Sequence, residues 1–153
     1  MNEVPQKIAT LCFVYEPSRI LLGMKKRGFG EGRWNGFGGK VDAGEDLEES
    51  AKREILEESG IRALEIQPAG IIHFAFDSSR QFTFKVHVFR VLKFEGDPIE
   101  TEEMRPQWFD IDKIPYDQMW PDDRYWLAGF LEGKDVNANF TLDVEDKLVD
   151  HKL

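Results

Sequence analysis

Three glutamates stand close together at residues 54, 57 and 58, within the segment Arg53-Glu54-Ile55-Leu56-Glu57-Glu58. On a helix, successive residues turn by about 100°, so positions i, i+3 and i+4 share one patch of the surface. Asp46 to Ser59 carries the matching periodicity, with Leu47, Ala51 and Ile55 repeating every four residues as an apolar stripe. The acids therefore crowd the last turns, at the negative end of the helix dipole, where each like charge costs a few tenths of a kcal/mol (~0.3) or more. Helix stability alone would favour Lys or Arg there. A solvated acidic face is the ordinary alternative for an isolated pair of glutamates. A cluster of hard oxygen ligands for Mg²⁺, with Mn²⁺ able to stand in, accounts for the placement better.

Trp120-Pro121-Asp122-Asp123 looks like a helix start, with proline well placed in the first turn. Two adjacent carboxylates resist joint ionisation and can share a proton. Placed after a proline, the same pair also fits a helix first turn, where its role would be capping.

The elements that must hold these groups follow from local patterns. Ile8 to Tyr15 and Arg19 to Met24 are expected strands around a turn at Glu16-Pro17-Ser18, and the glycine-rich stretch from Arg27 to Gly39 a loop. Gly60 is a natural helix stop. Strands are expected over Gly70 to Phe76 and Phe82 to Phe94, the second alternating through Phe82, Phe84, Val86 and Val88, with a polar turn at Asp77 to Arg80. Pro106 to Ile111 suggests a further strand, Trp120 to about Leu131 a helix, and Asn137 to Val144 a last strand. Mixed strands with two helices indicate an α+β or α/β sandwich.

The 153 residues fit one domain with a core that needs no disulfide. The lone Cys12 lies in an apolar run and is expected to be a buried, inert thiol, in keeping with a reducing, cytoplasmic setting. No apolar stretch of membrane-spanning length occurs. A formal charge of -9 disfavours a nucleic-acid polymer as partner, but allows a small anion whose charge is screened by divalent cations. His73, His87 and His151 have no metal-ligand spacing.

From Gly39 to Ile61 the chain runs Gly, five residues, Glu45, seven residues, then Arg53-Glu54-Ile55-Leu56-Glu57-Glu58-Ser59-Gly60-Ile61. This resembles the Nudix box, and every fixed position is met. The resemblance implies an α/β/α sandwich with a mixed sheet, formed by residues 1–153 as one domain, with a loop–helix–loop catalytic motif. It also implies that Glu54, Glu57 and Glu58 bind the metals, with Glu103 as a further acid and Gly38 lending a backbone carbonyl. Arg53 would orient the carboxylates, and Gly39 would let the chain approach the phosphates. One of the glutamates would take the proton of the attacking water, without the pattern saying which.

Further segments, Leu21 to Gly30, Gly32 to Val41, Val86 to Phe89, Glu103 to Pro106, Trp108-Phe109 and Met119 to Trp126, resemble Nudix enzymes that act on oxidised purine nucleoside triphosphates. That resemblance implies cleavage to monophosphate and pyrophosphate. It places a purine pocket at Thr10, Phe29, Asn35, Phe74, Phe76, Met104, Trp120, Asp122 and Asp123, with Lys25 meeting a phosphate or sugar. The protein is expected to act as a monomer on a small nucleotide, with no membrane partner. Phe84, Lys85 and the turn from Asp77 to Gln81 depart from the pattern beside the base site. Other nucleotides, nucleotide sugars or dinucleoside polyphosphates are therefore alternative substrates. A non-enzymatic nucleotide-binding module is a third possibility, disfavoured by the full set of glutamates.

Overall fold

The computed structural model describes residues 4–77 and 80–153. Strands β1 (Gln6–Tyr15), β2 (Arg19–Lys25) and β3 (Trp34–Asn35) precede helix α1 (Leu47–Ser59). Then come β4 (Arg62–Phe76), β5 (Thr83–Glu95), β6 (Met104–Asp110), two short 3₁₀ turns, α2 (Asp123–Leu131), β7 (Val136–Leu142) and β8 (Leu148–Lys152). One sheet runs β3-β2-β1-β5-β4-β7-β8, with β6 also paired to β2. The β1–β5 and β4–β7 pairs are parallel and the others antiparallel, so the sheet is mixed.

Each face of the sheet carries one helix. Ala51 and Ile55 of α1 pack with Cys12, Val14, Leu21 and Phe89. Trp126, Leu127 and Phe130 of α2 pack on the opposite face with Phe13, Ile20, Val88 and Phe140. The period-2 alternation of β1 and β5 feeds both layers at once, which yields the expected α/β/α sandwich. Cys12 is fully buried, and burial pushes its thiol far above the ordinary range, as expected of an inert core cysteine.

Several boundaries differ from the sequence expectation. β4 begins at Arg62 rather than Gly70, because bulges between Ala63 and Ile66 and between Pro68 and Ile71 break the alternation while the strand keeps its pairing with β5. Gly70 lies at φ 125° where a Cβ would sit 1.7 Å from the Val136 carbonyl oxygen, so β7 is admitted only by glycine. β8 was not anticipated at all. In the turn expected at residues 77–80, Ser78 and Ser79 lie outside the described residues.

α1 starts and stops as its residues dictate. Asp46 caps it by accepting the Glu49 N–H at 3.0 Å, and Gly60 ends it at φ 78°. Glu45, just before the cap, accepts the Asp42 N–H at 2.9 Å and a guanidinium N–H of Arg53 at 3.0 Å.

Candidate active site

The last turns of α1 meet the glycine-rich loop edge-on. Glu58 is 3% exposed, and its Oε1 accepts the Gly38 N–H at 2.9 Å. Glu54 lies beside Gly39, where a Cβ would approach its carboxyl carbon to 2.8 Å. Gly39 thus makes room for the Glu54 carboxylate. Gly38 is needed for a different reason: a Cβ there would fall 1.9 Å from the carbonyl oxygen of Thr10 in β1. Arg53 spreads over three acids, with Nη2 on Glu45 at 3.0 Å and Nη1 on Glu54 at 3.3 Å and Glu57 at 3.5 Å. That fork reaches all three carboxylates by charge-assisted contacts. Glu57 sits at the exposed rim, turned to Arg53. Glu103 approaches from the β6 side and pairs with Lys25 at 3.9 Å and Arg27 at 3.6 Å.

Negative charge is in excess here. Burial raises the pKa of Glu54, opposed by Arg53 and reinforced by Glu57 and Glu103. Burial likewise pushes Glu58 up to about 7, against the Gly38 hydrogen bond and Lys25, while Glu54 and Glu103 add to the rise. Carboxylates held this way are hard oxygen donors short of positive charge, which suits a divalent cation. Among the described residues no three acids, histidines or cysteines converge into a closed cage. An ion that keeps waters and takes substrate phosphates as ligands does not require one.

Next to the acids opens a cavity of about 330 Å³. All ten expected substrate-binding residues border it: Thr10, Lys25, Phe29, Asn35, Phe74, Phe76, Met104, Trp120, Asp122 and Asp123. Glu58 and Gly38 border it too, so the acidic end and the aromatic end share one space. Phe29 stacks on Trp120 with centroids 5.1 Å apart and planes 21° from parallel. Trp34 and Trp126 are core, as expected, and Trp108 packs half-buried under Arg19. Asn35 gives its amide oxygen to the Gly36 N–H at 2.8 Å, which directs its NH₂ group rather than both functions to a ligand.

Asp122 is the N-cap of α2, yet its side chain makes no capping bond. Side-chain capping is therefore absent, while the pair does stand at the first turn of α2, which begins at Asp123 after the Trp120-Pro121 turn. Both carboxylates are 2% exposed. Burial lifts Asp122 to about 6, restrained chiefly by the Trp126 N–H that it accepts at 2.8 Å. Burial raises Asp123 well above the usual carboxylate range, with the charge of Asp122 adding to it. Burial and the charge of Asp122 thus favour Asp123 as the member of the pair that holds a proton. Thr10 Oγ1, Arg33 Nη1, Asp122 Oδ1 and Asp123 Oδ2 are buried without a hydrogen-bond partner among the described residues, and all four residues line the cavity. Arg33 had no signal in the sequence beyond its loop position. It lies over the Trp120 ring at 4.1 Å. Phe82 and Leu142 were also missed as wall residues, while Phe84 enters the wall as its strand alternation allows.

A larger cavity, about 670 Å³, lies under the N-terminus of α1 and reaches His87 and Asp135. Its acids are mostly committed, Glu45 to Arg53, Asp46 to its capping bond and Asp135 to Arg90. The smaller cavity is the one with unsatisfied chemistry.

A mixed-sheet sandwich whose acidic helix closes on a glycine-rich loop is the architecture of one enzyme class, and the chain belongs to it: the NUDIX domain family matches residues 5–130. Divalent-metal dependence is general in this family of hydrolases. The chain is 51% identical over 147 residues to the oxidized purine nucleoside triphosphate hydrolase of Danio rerio, covering 96% of this chain and 94% of the relative. It is 48% identical over the same length to the enzyme of that name from Mus musculus, with the same coverage. In structure it matches the mutator MutT protein from Bacillus halodurans with a TM-score of 0.83 at 25% identity, covering 95% of this chain and 96% of that one. Among the described residues no helix is long and apolar enough to cross a membrane.

Proposed function

We propose that the chain hydrolyses oxidised purine (deoxy)nucleoside triphosphates, of the 8-oxo-dGTP and 2-hydroxy-dATP type, to monophosphate and pyrophosphate, and so cleans the nucleotide pool. The observation that carries this is the set of four unpartnered buried polar atoms, on Thr10, Arg33, Asp122 and Asp123, around an aromatic cavity that also reaches Glu58. Buried polar groups left unpaired are costly, so such a set supports a ligand with complementary donors and acceptors. A protonated Asp123 donates while Asp122 accepts, a pairing suited to keto and amino groups of more than one modified purine.

Mg²⁺ is the divalent ion proposed, held by Glu54, Glu57, Glu58, Glu103 and the Gly38 carbonyl. When bound, it screens the triphosphate and supplies an activated water. Arg53 holds Glu54 and Glu57 in place, and Lys25 binds a phosphate or sugar oxygen. One of Glu54, Glu57 and Glu58 accepts the proton of the attacking water. Trp120 and Phe29 stack on the base, and the NH₂ of Asn35 donates to its edge. The whole chain acts as one domain and as a monomer, in the cytoplasm, where the single buried thiol of Cys12 fits reducing conditions.

The test is kcat/KM with Mg²⁺ for 8-oxo-dGTP, 2-hydroxy-dATP, dGTP and dATP side by side, with products identified. A strong preference for the oxidised bases supports the proposal, and equal turnover of all four overturns it. One observation favours a second substrate class. Phe82 and Phe84 meet edge to face at 5.2 Å and both border the cavity, where the sequence departs at Phe84 from the pattern it resembles. A nucleotide sugar or dinucleoside polyphosphate outpacing all four triphosphates would establish it. Turnover that vanishes in Glu58→Gln disposes of a purely binding role.

A further inference from the structure

The far end of the chain reaches back to the base pocket through one ion pair. Asp146 lies in the β7–β8 turn at φ 59°, a left-handed conformation that Asp tolerates. The turn braces itself: Asp143 Oδ1 accepts the N–H groups of Glu145 at 2.8 Å and Lys147 at 3.0 Å. Both guanidinium Nη atoms of Arg80 donate to the Asp146 carboxylate, one to each oxygen. The pair is three-quarters or more withdrawn from water, with side-chain exposures of 25% and 20%. A forked, shielded contact of this kind is stronger and better oriented than a surface ion pair.

The same guanidinium lies over two aromatic rings, 4.9 Å from the centroid of Phe29 and 4.8 Å from that of Phe76. Those rings meet edge to face at 6.3 Å, and both border the base cavity. Phe29 is 46% exposed, and its other ring contacts are the stack on Trp120 and a tilted contact with Phe84 at 5.6 Å. Arg80 therefore covers part of the aromatic wall, and an anchor outside the pocket fixes its position.

We infer that Arg80, anchored by Asp146, is a positioning residue for base recognition: it holds Phe29 and Phe76 as walls of the slot and so sets affinity for the base without acting on the phosphates. The inference rests on the proposed base pocket and adds a determinant outside the segments that carry the resemblance. A guanidinium is suited to the task because its plane lies flat on a ring while its edge donates to a carboxylate. Lys at position 80 would keep the charge and lose the plane. Exchanging the two charges, Arg80→Asp with Asp146→Arg, would restore an ion pair but remove the guanidinium from the rings.

The experiment is calorimetric titration of 8-oxo-dGMP into the full chain, wild type and variants, alongside steady-state kinetics on 8-oxo-dGTP with Mg²⁺. Arg80→Ala and the charge-exchanged double variant are expected to weaken 8-oxo-dGMP binding and raise KM by about tenfold, with kcat within about twofold. Arg80→Lys, the variant least disturbing to folding, is expected to lose about threefold. Wild-type affinity in Arg80→Ala or Arg80→Lys, or full rescue by the charge exchange, would reduce the pair to a staple for the hairpin and overturn the inference. If the wild type itself fails to bind 8-oxo-dGMP, the oxidised-purine reading of the pocket falls and the inference with it. Wild-type binding beside unaffected variants sinks the inference alone.

Discussion

The indole N–H of Trp126 donates to Asp122 Oδ2 at 2.8 Å, one turn along α2 from the carboxylate it holds. This bond breaks the symmetry of the aspartate pair. It stabilises the ionised form of Asp122 and leaves the proton to Asp123, whose carboxyl is buried and faces the charge of its neighbour. Because one side chain is an acceptor and the other a donor, substitutions at the two positions have unequal effects.

Asp122→Asn is expected to lower kcat/KM on oxidised purines by about 10- to 100-fold, the range for leaving a buried partner unpaired. Asp123→Asn keeps a neutral donor in place and is expected to cost less than about tenfold. With Asp122 titrating at about 6, protonation below that pH removes the acceptor, so kcat/KM falls on the acid side. The pH profile of Asp122→Asn should lack that limb. A limb that persists unchanged would assign it to another group.

Glu58 gives a stability prediction of definite sign. Its folded pKa of about 7 lies above the ordinary 4.5, so the native state holds the proton more tightly than the unfolded chain. Stability of the metal-free protein must then fall as pH rises from about 4.5 to about 7 and level off above. Glu58→Gln removes this loss while keeping an oxygen for the Gly38 N–H. Thermal melts in chelator are expected to show the variant more stable by about 1–3 kcal/mol at pH 8 and near wild type at pH 4.5. Turnover is expected to drop at least about 100-fold.

Neighbouring glycines should fail in different ways. Gly38→Ala drives a methyl against the backbone of Thr10, which cannot retreat without opening β1, and is expected to cost about 3 kcal/mol or more. Gly39→Ala meets only the Glu54 side chain, which can swing away. Its melting temperature should stay near wild type while its activity collapses. Parallel melts and assays of the two variants check the contrast.

Arg53→Ala tests the orienting fork. Arg53 is 44% exposed at its side chain, so its loss is expected to cost less than about 1 kcal/mol of stability. Glu54 and Glu57 lose their common partner, and the Mg²⁺ concentration for half-maximal rate is expected to rise about 10-fold or more, as for other groups that hold metal ligands in place. An unchanged Mg²⁺ dependence would show that the carboxylates are held by other contacts.

Much of the site was legible because its information is local. Glu54, Glu57 and Glu58 share a helix face by spacing alone, and Asp46 and Gly60 mark the helix ends by their chemistry. The aromatic wall was legible only through resemblance, since Phe29, Phe76 and Trp120 come from three separate segments that meet through the sheet. Arg33 and Leu142 escaped notice because nothing in their neighbours betrays a pocket lining. β4 was cut short because Pro68 and Gly70 imitate a strand boundary, whereas the pairing with β5 carries the strand through its bulges. β8 is five exposed or half-exposed residues with no apolar alternation, held by β7.

Leu142, at the end of β7, helps to line the cavity whose acids lie on α1. As the chain leaves the ribosome, the acidic helix emerges long before the strand that completes the pocket. A nascent or truncated chain can therefore carry every carboxylate and still lack a place for the base. The wall that Leu142 supplies is the last part of the pocket to be synthesised.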